Sequence, residues 1–280
     1  MPHHQDFSSE QISTGKQTVS PANQDRLDFA RRIALEAGAI VRRGFRKKLN
    51  AMHKGEIDLV TEYDLASEEY ITQAIQDRYP DDGILAEENG LETEGEFRWI
   101  IDPIDGTTNF ARGIVPWSIS IACGIGKDMQ VGAVYDPMQE ELFSAVKNGG
   151  AWLNGDRLVV SKVDDLNDGF FATGFPYDIR THKQKNLREF SLMSVTVLAI
   201  RRLGSAALDL AYVAAGRYDG YWEHRLGPWD AAAGMLVVLE AGGVVTRIDG
   251  GEDIFAKPAS VLATNGLIHD QAMVVLNSIQ

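Results

Sequence analysis

Trp99-Ile100-Ile101-Asp102-Pro103-Ile104-Asp105-Gly106-Thr107-Thr108-Asn109-Phe110 is the stretch that decides how this chain is read. Arg98–Ile101 is apolar and β-friendly, and predicts a strand that delivers acids at its C-terminal end. Asp102 and Asp105 then lie on the turn that leaves it. Pro103 limits the backbone between them, and Gly106 permits an unusual dihedral. Such a turn can aim Asp102, Asp105 and the Ile104 carbonyl at one point. Magnesium takes hard oxygen ligands and keeps several waters, so two carboxylates and a carbonyl suit part of its shell. Gly106 and Thr107 open a helix-like segment, where backbone N–H groups favour anions. The same residues also fit a capped turn in which Asp105 bonds nearby N–H groups. Both readings stand on this stretch alone.

Working outward, further acids fall at similar places. Glu87 and Glu88 follow a short apolar strand, Gly83–Ala86. Asp230 lies on the first turn of a helix predicted over Pro228–Ala241, where the dipole favours a carboxylate even without a metal. Asp209, in an alanine-rich helix, reads as a buried, bonded structural acid. Asp81, Asp82, Glu92, Glu94 and Glu96 read as solvated loop charge, and Asp58 as a brace before the second helix.

Periodicity supplies the framework. An apolar stripe of Leu27, Ala30, Ile33, Ala34, Ala37 and Val41 predicts a helix opened by Ser20-Pro21. Its basic end, Arg42, Arg43, Arg46, Lys47 and Lys48, complements the helix dipole. A second helix starts near Thr61 and stops at Pro80. Trp117–Ile125, Gln130–Tyr135 and Glu141–Val146 predict an antiparallel meander, with a tight turn in the Gly149–Gly155 stretch. Strands are expected at Phe170–Thr173, Val197–Arg202, Tyr218–Glu223, Val244–Arg247 and Val261–Thr264. Further helices are expected at Lys183–Ser194, Ala206–Ala215 and His269–Ile279. Trp117, Trp152, Trp222 and Trp229 are expected in the core. Helices and strands therefore interleave in two blocks, 21–155 and 156–280, packed as one compact unit behind a flexible tail, 1–20.

Composition narrows the function. With 280 residues, 44% hydrophobic and 24% charged, the chain can bury a substantial core. The net charge of -13 repels nucleic-acid phosphates and anionic membranes. A chain this acidic needs a local source of positive charge to hold a phosphorylated substrate, and carboxylates gathered around divalent cations would provide one. The single cysteine, Cys123, excludes an intrachain disulfide, fits a reducing cytoplasm, and reads as a small buried hydrophobe. The first twenty residues are polar, with no apolar core of signal-peptide type, and no run approaches the ~18 apolar residues that a membrane helix is expected to need.

Taken together, the chain resembles the inositol monophosphatase family of metal-dependent, lithium-sensitive phosphatases. The resemblance rests on Asp58-Leu59-Val60-Thr61-Glu62-Tyr63-Asp64, Leu85-Ala86-Glu87-Glu88, the run from Trp99, and Pro228-Trp229-Asp230 with Glu240-Ala241-Gly242-Gly243. Gly204-Ser205-Ala206-Ala207-Leu208-Asp209-Leu210 with Glu223 is similar to the bacterial branch. The order and spacing agree from about residue 25 onward.

The resemblance implies an α/β (α+β) fold, a layered αβαβα sandwich of the sugar-phosphatase type, and commonly a homodimer. It implies two to three Mg2+ ions per subunit, held by Glu87, Asp102, the Ile104 carbonyl, Asp105 and Asp230. Asp102 would bridge two of them, with Glu87 and Ile104 completing one site and Asp105 and Asp230 the other. Gly106 and Thr107, beside Asp105, would hold the phosphate. Asp64 and Thr107 match the acid–hydroxyl pair that orients the attacking water, so Asp64, Thr107 and Glu87 form the expected catalytic set. Glu223 would accept a sugar-ring hydroxyl, with Gly204, Ser205 and Ala206 lining the same pocket. Ala86 stands where the family often has Gly, and Lys54, near His53 and Glu56, is shifted from the common pattern.

The expected reaction is hydrolysis of inositol monophosphate by in-line attack of a metal-activated water, in the cytoplasm. Positioning and electrostatics carry most of such chemistry. Fructose 1,6-bisphosphate, histidinol phosphate and nucleotide 3′-phosphates are alternative substrates of related members. A different class of role is a non-catalytic part in an RNA-polymerase antitermination assembly. Against it stands the cost of holding so many carboxylates together without cations.

Overall fold

The computed structural model describes residues 19–47, 52–53, 59–177, 179–181 and 186–278. In chain order the helices are α1 Pro21–Arg42, α2 Glu62–Arg78, α3 Thr107–Arg112, α4 Leu187–Thr196, α5 Ala206–Ala214, α6 Pro228–Glu240 and α7 His269–Asn277. The strands are β1 Met52–His53, β2 Leu59–Val60, β3 Gly83–Ala86, β4 Arg98–Asp105, β5 Ser118–Ile125, β6 Asp128–Asp136 and β7 Glu141–Val146. They continue with β8 Gly150–Leu153, β9 Asp156–Arg157, β10 Phe170–Thr173, β11 Ala199–Arg201, β12 Gly220–His224, β13 Val244–Thr246 and β14 Ser260–Thr264.

Helix starts follow their sequence signals. Pro21 sits in the first turn of α1, and Ser20 Oγ accepts from the Asn23 N–H at 3.1 Å. Thr61 caps α2 in a capping box whose other half is Asp64. The α1 stripe Leu27, Ala30, Ile33, Ala34, Ala37 and Val41 is wholly buried. It packs, with Ile71 and Ile75 of α2, on one face of a seven-stranded sheet ordered β3-β4-β5-β6-β7-β8-β9. Trp99, Ile101, Ile119, Ile121, Val131 and Ala133 line that face, while Ile100, Ala122 and Val134 point the other way. Both faces are covered, so the strands read as apolar runs rather than as alternation.

The other face packs on α5 and α6. Every residue of α5 is buried, as an all-round apolar helix requires. Beyond them lies a five-stranded sheet, β11-β10-β12-β14-β13, with β10 parallel to β11 and β12. Its far face, with Phe171, Trp222 and Leu262, is closed by Met193 of α4 and Ala272 and Leu276 of α7. The layers therefore run α1/α2, sheet, α5/α6, sheet, α4/α7, as expected for the sandwich. Among the described residues no helix is long and apolar enough to cross a membrane.

Several local expectations need correction. Asp102 and Asp105 do not lie on a turn beyond the strand. They are part of β4, which pairs with β5 on both sides of a bulge, Asp102 opposite Ser120 and Asp105 opposite Ser118. Gly150–Leu153 is a strand of the large sheet rather than part of a turn. Trp117 and Trp222 are fully buried, but Trp152 and Trp229 are only half-buried. The guanidinium groups of Arg31 and Arg157 each lie 5.4 Å from the centre of the Trp152 ring. Of the expected tail, Val19 packs against the α1 layer and Ser20 caps α1. Residues 1–18, Lys48, Lys54, Glu56 and Asp58 and the side chain of His53 lie outside the described residues.

Candidate active site

Three carboxylates from distant parts of the chain meet where β4 faces the start of α6. One oxygen from each of Asp102, Asp105 and Asp230 lies within 4.8 Å of the others. Each is fixed by local structure. Asp102 folds back so that Oδ1 accepts the Ile104 N–H at 3.0 Å, and Pro103 shapes the bulge between Asp102 and Asp105. Asp230 occupies the first turn of α6, and its Oδ2 accepts the Gly227 N–H at 2.5 Å.

Asp105 does cap a helix, but not its own turn. Its carboxylate accepts Ser205 Oγ at 2.5 Å and the N–H groups of Ala206 at 3.2 Å and Ala207 at 2.8 Å, at the start of α5. The positive end of that helix is thus directed at the acid cluster. Ser205 and Ala206, expected to line the pocket of Glu223, are bonded to the Asp105 carboxylate. Gly204 precedes them, its loop tied down by Asn109 Nδ2, which donates to Leu203 O at 2.7 Å and Pro116 O at 2.8 Å. Gly106 has φ of 97°, and a β-carbon there would stand 3.0 Å from Gly204 O. Glycine is needed on both counts.

Burial and mutual repulsion dominate the electrostatics. Burial pushes the Asp102 carboxyl well above its usual range, and the charges of Glu87, Asp105 and Asp230 push it further. Asp230 is raised by burial and then by Glu87 and Asp105. Asp105 is raised by burial, with Ser205 and the Ala207 and Ala206 N–H groups pulling it back. Such a set is unfavourable as anions alone and fits a divalent cation, and its donors are all hard oxygens.

Glu87, at the end of β3, is half-buried and close enough to hydrogen-bond to Asp102, but is not in the tight group of three. Its loop is anchored by a residue that sequence reasoning missed. Glu68 of α2 is fully buried and accepts the Glu88 N–H at 2.7 Å and the Asn89 N–H at 2.8 Å. Its position on the apolar side of α2, one turn from Ile71, was the available signal. Ala86, the departure from the family's glycine, is buried in β3 without disturbing this arrangement.

The Ile104 carbonyl and Asp64 share Thr107. Its Oγ1 is 2.9 Å from Asp64 Oδ1 and 2.9 Å from Ile104 O. Asp64 Oδ2 accepts the Thr61 N–H at 2.8 Å and Thr61 Oγ1 at 2.5 Å, so the acid that caps α2 also faces the site.

Glu223 of β12 is nine-tenths buried. Burial pushes its carboxyl up to about 7, with Tyr221 lowering and Asp105 raising it. Asp209 is buried but not bonded as expected: its Oδ1 has no hydrogen-bond partner. Burial, then the charges of Glu223 and Asp105, holds it well above the carboxylate range. Asp82, expected in solvent, instead pairs with Arg26 at 3.1 Å and accepts Trp99 Nε1 at 2.9 Å. Cys123 is buried, and burial pushes its thiol up, away from reactivity.

The chain and its fold are similar to known proteins. The family model described as "Inositol monophosphatase family" matches residues 22–280. The "Inositol-1-monophosphatase" of Synechocystis is 41% identical over 263 residues, covering 92% of this chain and 91% of that protein. The "Nus factor SuhB" of Escherichia coli strain K12 is 43% identical over 231 residues, covering 81% of this chain and 86% of that protein. The solved inositol monophosphatase of Anabaena superposes with a TM-score of 0.84 at 39% identity, covering 92% of this chain and 97% of that one.

Proposed function

The chain belongs to the inositol monophosphatase family, and from that membership we propose that it is a magnesium-dependent phosphomonoesterase that hydrolyses inositol monophosphate to inositol and phosphate. The observation that carries the reading is the meeting of Asp102, Asp105 and Asp230 beside the Thr107–Asp64 pair.

In this reading Glu87, Asp102, the Ile104 carbonyl, Asp105 and Asp230 hold two to three Mg2+ ions. When bound, the ions supply Lewis acidity to the phosphoryl oxygens, activate water and stabilise the leaving oxygen. The protein's own residues do the rest. Gly106 and Thr107 seat the phosphate at the start of α3. Thr107 Oγ1 donates its hydrogen bond to Asp64 Oδ1 and keeps a lone pair to accept a hydrogen bond from the attacking water. As the water attacks, its proton passes to Thr107 Oγ1 while the threonine proton passes to Asp64. Glu223 accepts a hydroxyl of the leaving group, with Gly204, Ser205 and Ala206 around it. Phosphoryl transfer asks for little covalent help, so this positioning is the chemistry the protein must provide.

The test is phosphate release from inositol 1-phosphate with and without magnesium, and with lithium added. Fructose 1,6-bisphosphate, histidinol phosphate and a nucleotide 3′-phosphate serve as competitors. Magnesium-dependent turnover that is fastest on inositol 1-phosphate and inhibited by lithium supports the reading. A different preferred substrate moves the protein to another branch, and no turnover on any of them rejects it.

The relatives named as Nus factors favour a second role, in an RNA-polymerase antitermination assembly. Retention of the chain on immobilised RNA polymerase tests it. A homodimer in a reducing cytoplasm completes the proposal, and sedimentation of the purified chain checks the dimer.

A further inference from the structure

Glu223 is held by one group on its own strand and one just past the adjacent strand β10. Tyr221 lies two residues earlier on β12, on the same face, and is fully buried. Its hydroxyl donates to Glu223 Oε2 at 2.5 Å. Burial keeps that phenol protonated, and so a donor. On the other side is Gly174, just beyond β10. A β-carbon at Gly174 would lie 2.1 Å from Glu223 Oε2 and 2.4 Å from both Cδ and Oε1. The carboxylate therefore fills the space a side chain would need.

Gly174 is itself fixed. Asn186 Nδ2 donates to Gly174 O at 2.6 Å, and Trp222 Nε1 donates to Asn186 Oδ1 at 2.7 Å. Thr173 Oγ1 donates to Trp222 O at 2.6 Å. The wall behind the carboxylate is thus built from buried, mutually bonded groups. Among the described residues, no hydrogen bond reaches Glu223 Oε1. One oxygen of the acid is committed to Tyr221, and the other is left for a ligand.

We propose that Tyr221 is a positioning residue for leaving-group recognition: with Gly174 opposite, its hydroxyl fixes Glu223 so that Oε1 is presented to a substrate hydroxyl. The site then selects polyol phosphates over phosphate monoesters whose leaving group has no hydroxyl. The inference rests on the reading of Glu223 as a substrate contact. Without the tyrosine hydroxyl, Oε2 loses its donor, the carboxylate is free to turn, and its advantage toward a polyol shrinks. A buried hydrogen bond to a charged group is of the right size to matter at this level.

The experiment compares kcat/KM for inositol 1-phosphate and for p-nitrophenyl phosphate at saturating magnesium, using the full chain. The readout is the ratio of the two values. Tyr221→Phe should lower this ratio about tenfold. Gly174→Ala, which displaces the carboxylate from the other side, should lower it in the same direction. Thermal melting of both variants shows whether they fold. Because two variants act from opposite sides, one poorly folding variant leaves the other to decide. Glu223→Gln tests the underlying reading. If it lowers the ratio while Tyr221→Phe and Gly174→Ala leave it unchanged, the positioning role is overturned and the contact stands. If Glu223→Gln itself leaves the ratio unchanged, the contact fails, and the role of Tyr221 fails with it.

Discussion

Thr107 Oγ1 lies 2.9 Å from Asp64 Oδ1, a hydrogen bond that joins the start of α3 to the start of α2 across 43 residues of chain. Both side chains are buried. The contact orients a hydroxyl against the bulge of β4 and makes the acid of a helix cap available to the site. In the proposed mechanism, removing the hydroxyl removes an interaction made with the attacking water rather than with the bound ester. Thr107→Ala should therefore lower kcat about a hundredfold and change KM by less than about threefold. Steady-state kinetics on inositol 1-phosphate measures the split. A rise in KM at constant kcat would assign Thr107 to binding alone.

Ser205 acts one layer further out. Its Oγ donates to Asp105 Oδ2 at 2.5 Å and is 3.3 Å from Ser118 Oγ, so it holds the carboxylate in register with α5. Ser205→Ala should weaken magnesium activation about ten- to a hundredfold, as loss of a partner behind a metal ligand typically does. The magnesium concentration for half-maximal turnover reads this directly. Turnover at saturating magnesium should recover most of its value.

His269 gives a pH dependence away from the site. Thr246 Oγ1 donates to Arg247 O and so accepts from His269 Nε2, 2.9 Å away. Thr264 Oγ1 accepts the Gly266 N–H and gives its own proton to His269 Nδ1, also at 2.9 Å. The network fits a neutral ring with its proton on Nε2, and burial lowers the histidine from its ordinary 6.5. A depressed folded value means that the unfolded chain takes the proton first. The contribution is complete above pH 6.5 and is lost as pH falls from there through the folded value. Urea midpoints at pH 7.5 and 5.5 should differ less for His269→Gln than for the unsubstituted chain. Equal differences would show that the ring does not titrate in this way.

The architecture was legible where local periodicity and end signals agree. The α1 stripe, the Thr61 cap, the meander of β5 to β7 and the alanine-rich α5 all follow from residues near one another in sequence. What escaped depended on partners far along the chain. Asp82 could not be assigned to Arg26 from its loop context, since the partner is 56 residues away. β4 was cut short at Ile101 because a bulge containing Pro103 does not resemble a strand, and only pairing with Ser118 and Ser120 makes it one. The acids of the site were recognisable from their motifs. The helper residues Glu68, Asn109 and Tyr221 were not, because a buried glutamate on α2 or a tyrosine on β12 has no local signature of the contact it makes.

The central claim is that Asp102, Asp105 and Asp230 close around divalent cations, and Asp102→Asn tests it most directly. The measurement is a magnesium titration followed by thermal melting and by phosphate release from inositol 1-phosphate. In the unsubstituted chain, binding to the folded state alone should raise the melting temperature by several degrees, on the order of 1–3 kcal/mol of linkage. In Asp102→Asn the rise should vanish and turnover should fall by more than about a thousandfold. The same variant without magnesium should melt no lower than the unsubstituted chain, since one of the mutually repelling carboxylates is gone. Near-normal turnover by Asp102→Asn at saturating magnesium would contradict the account.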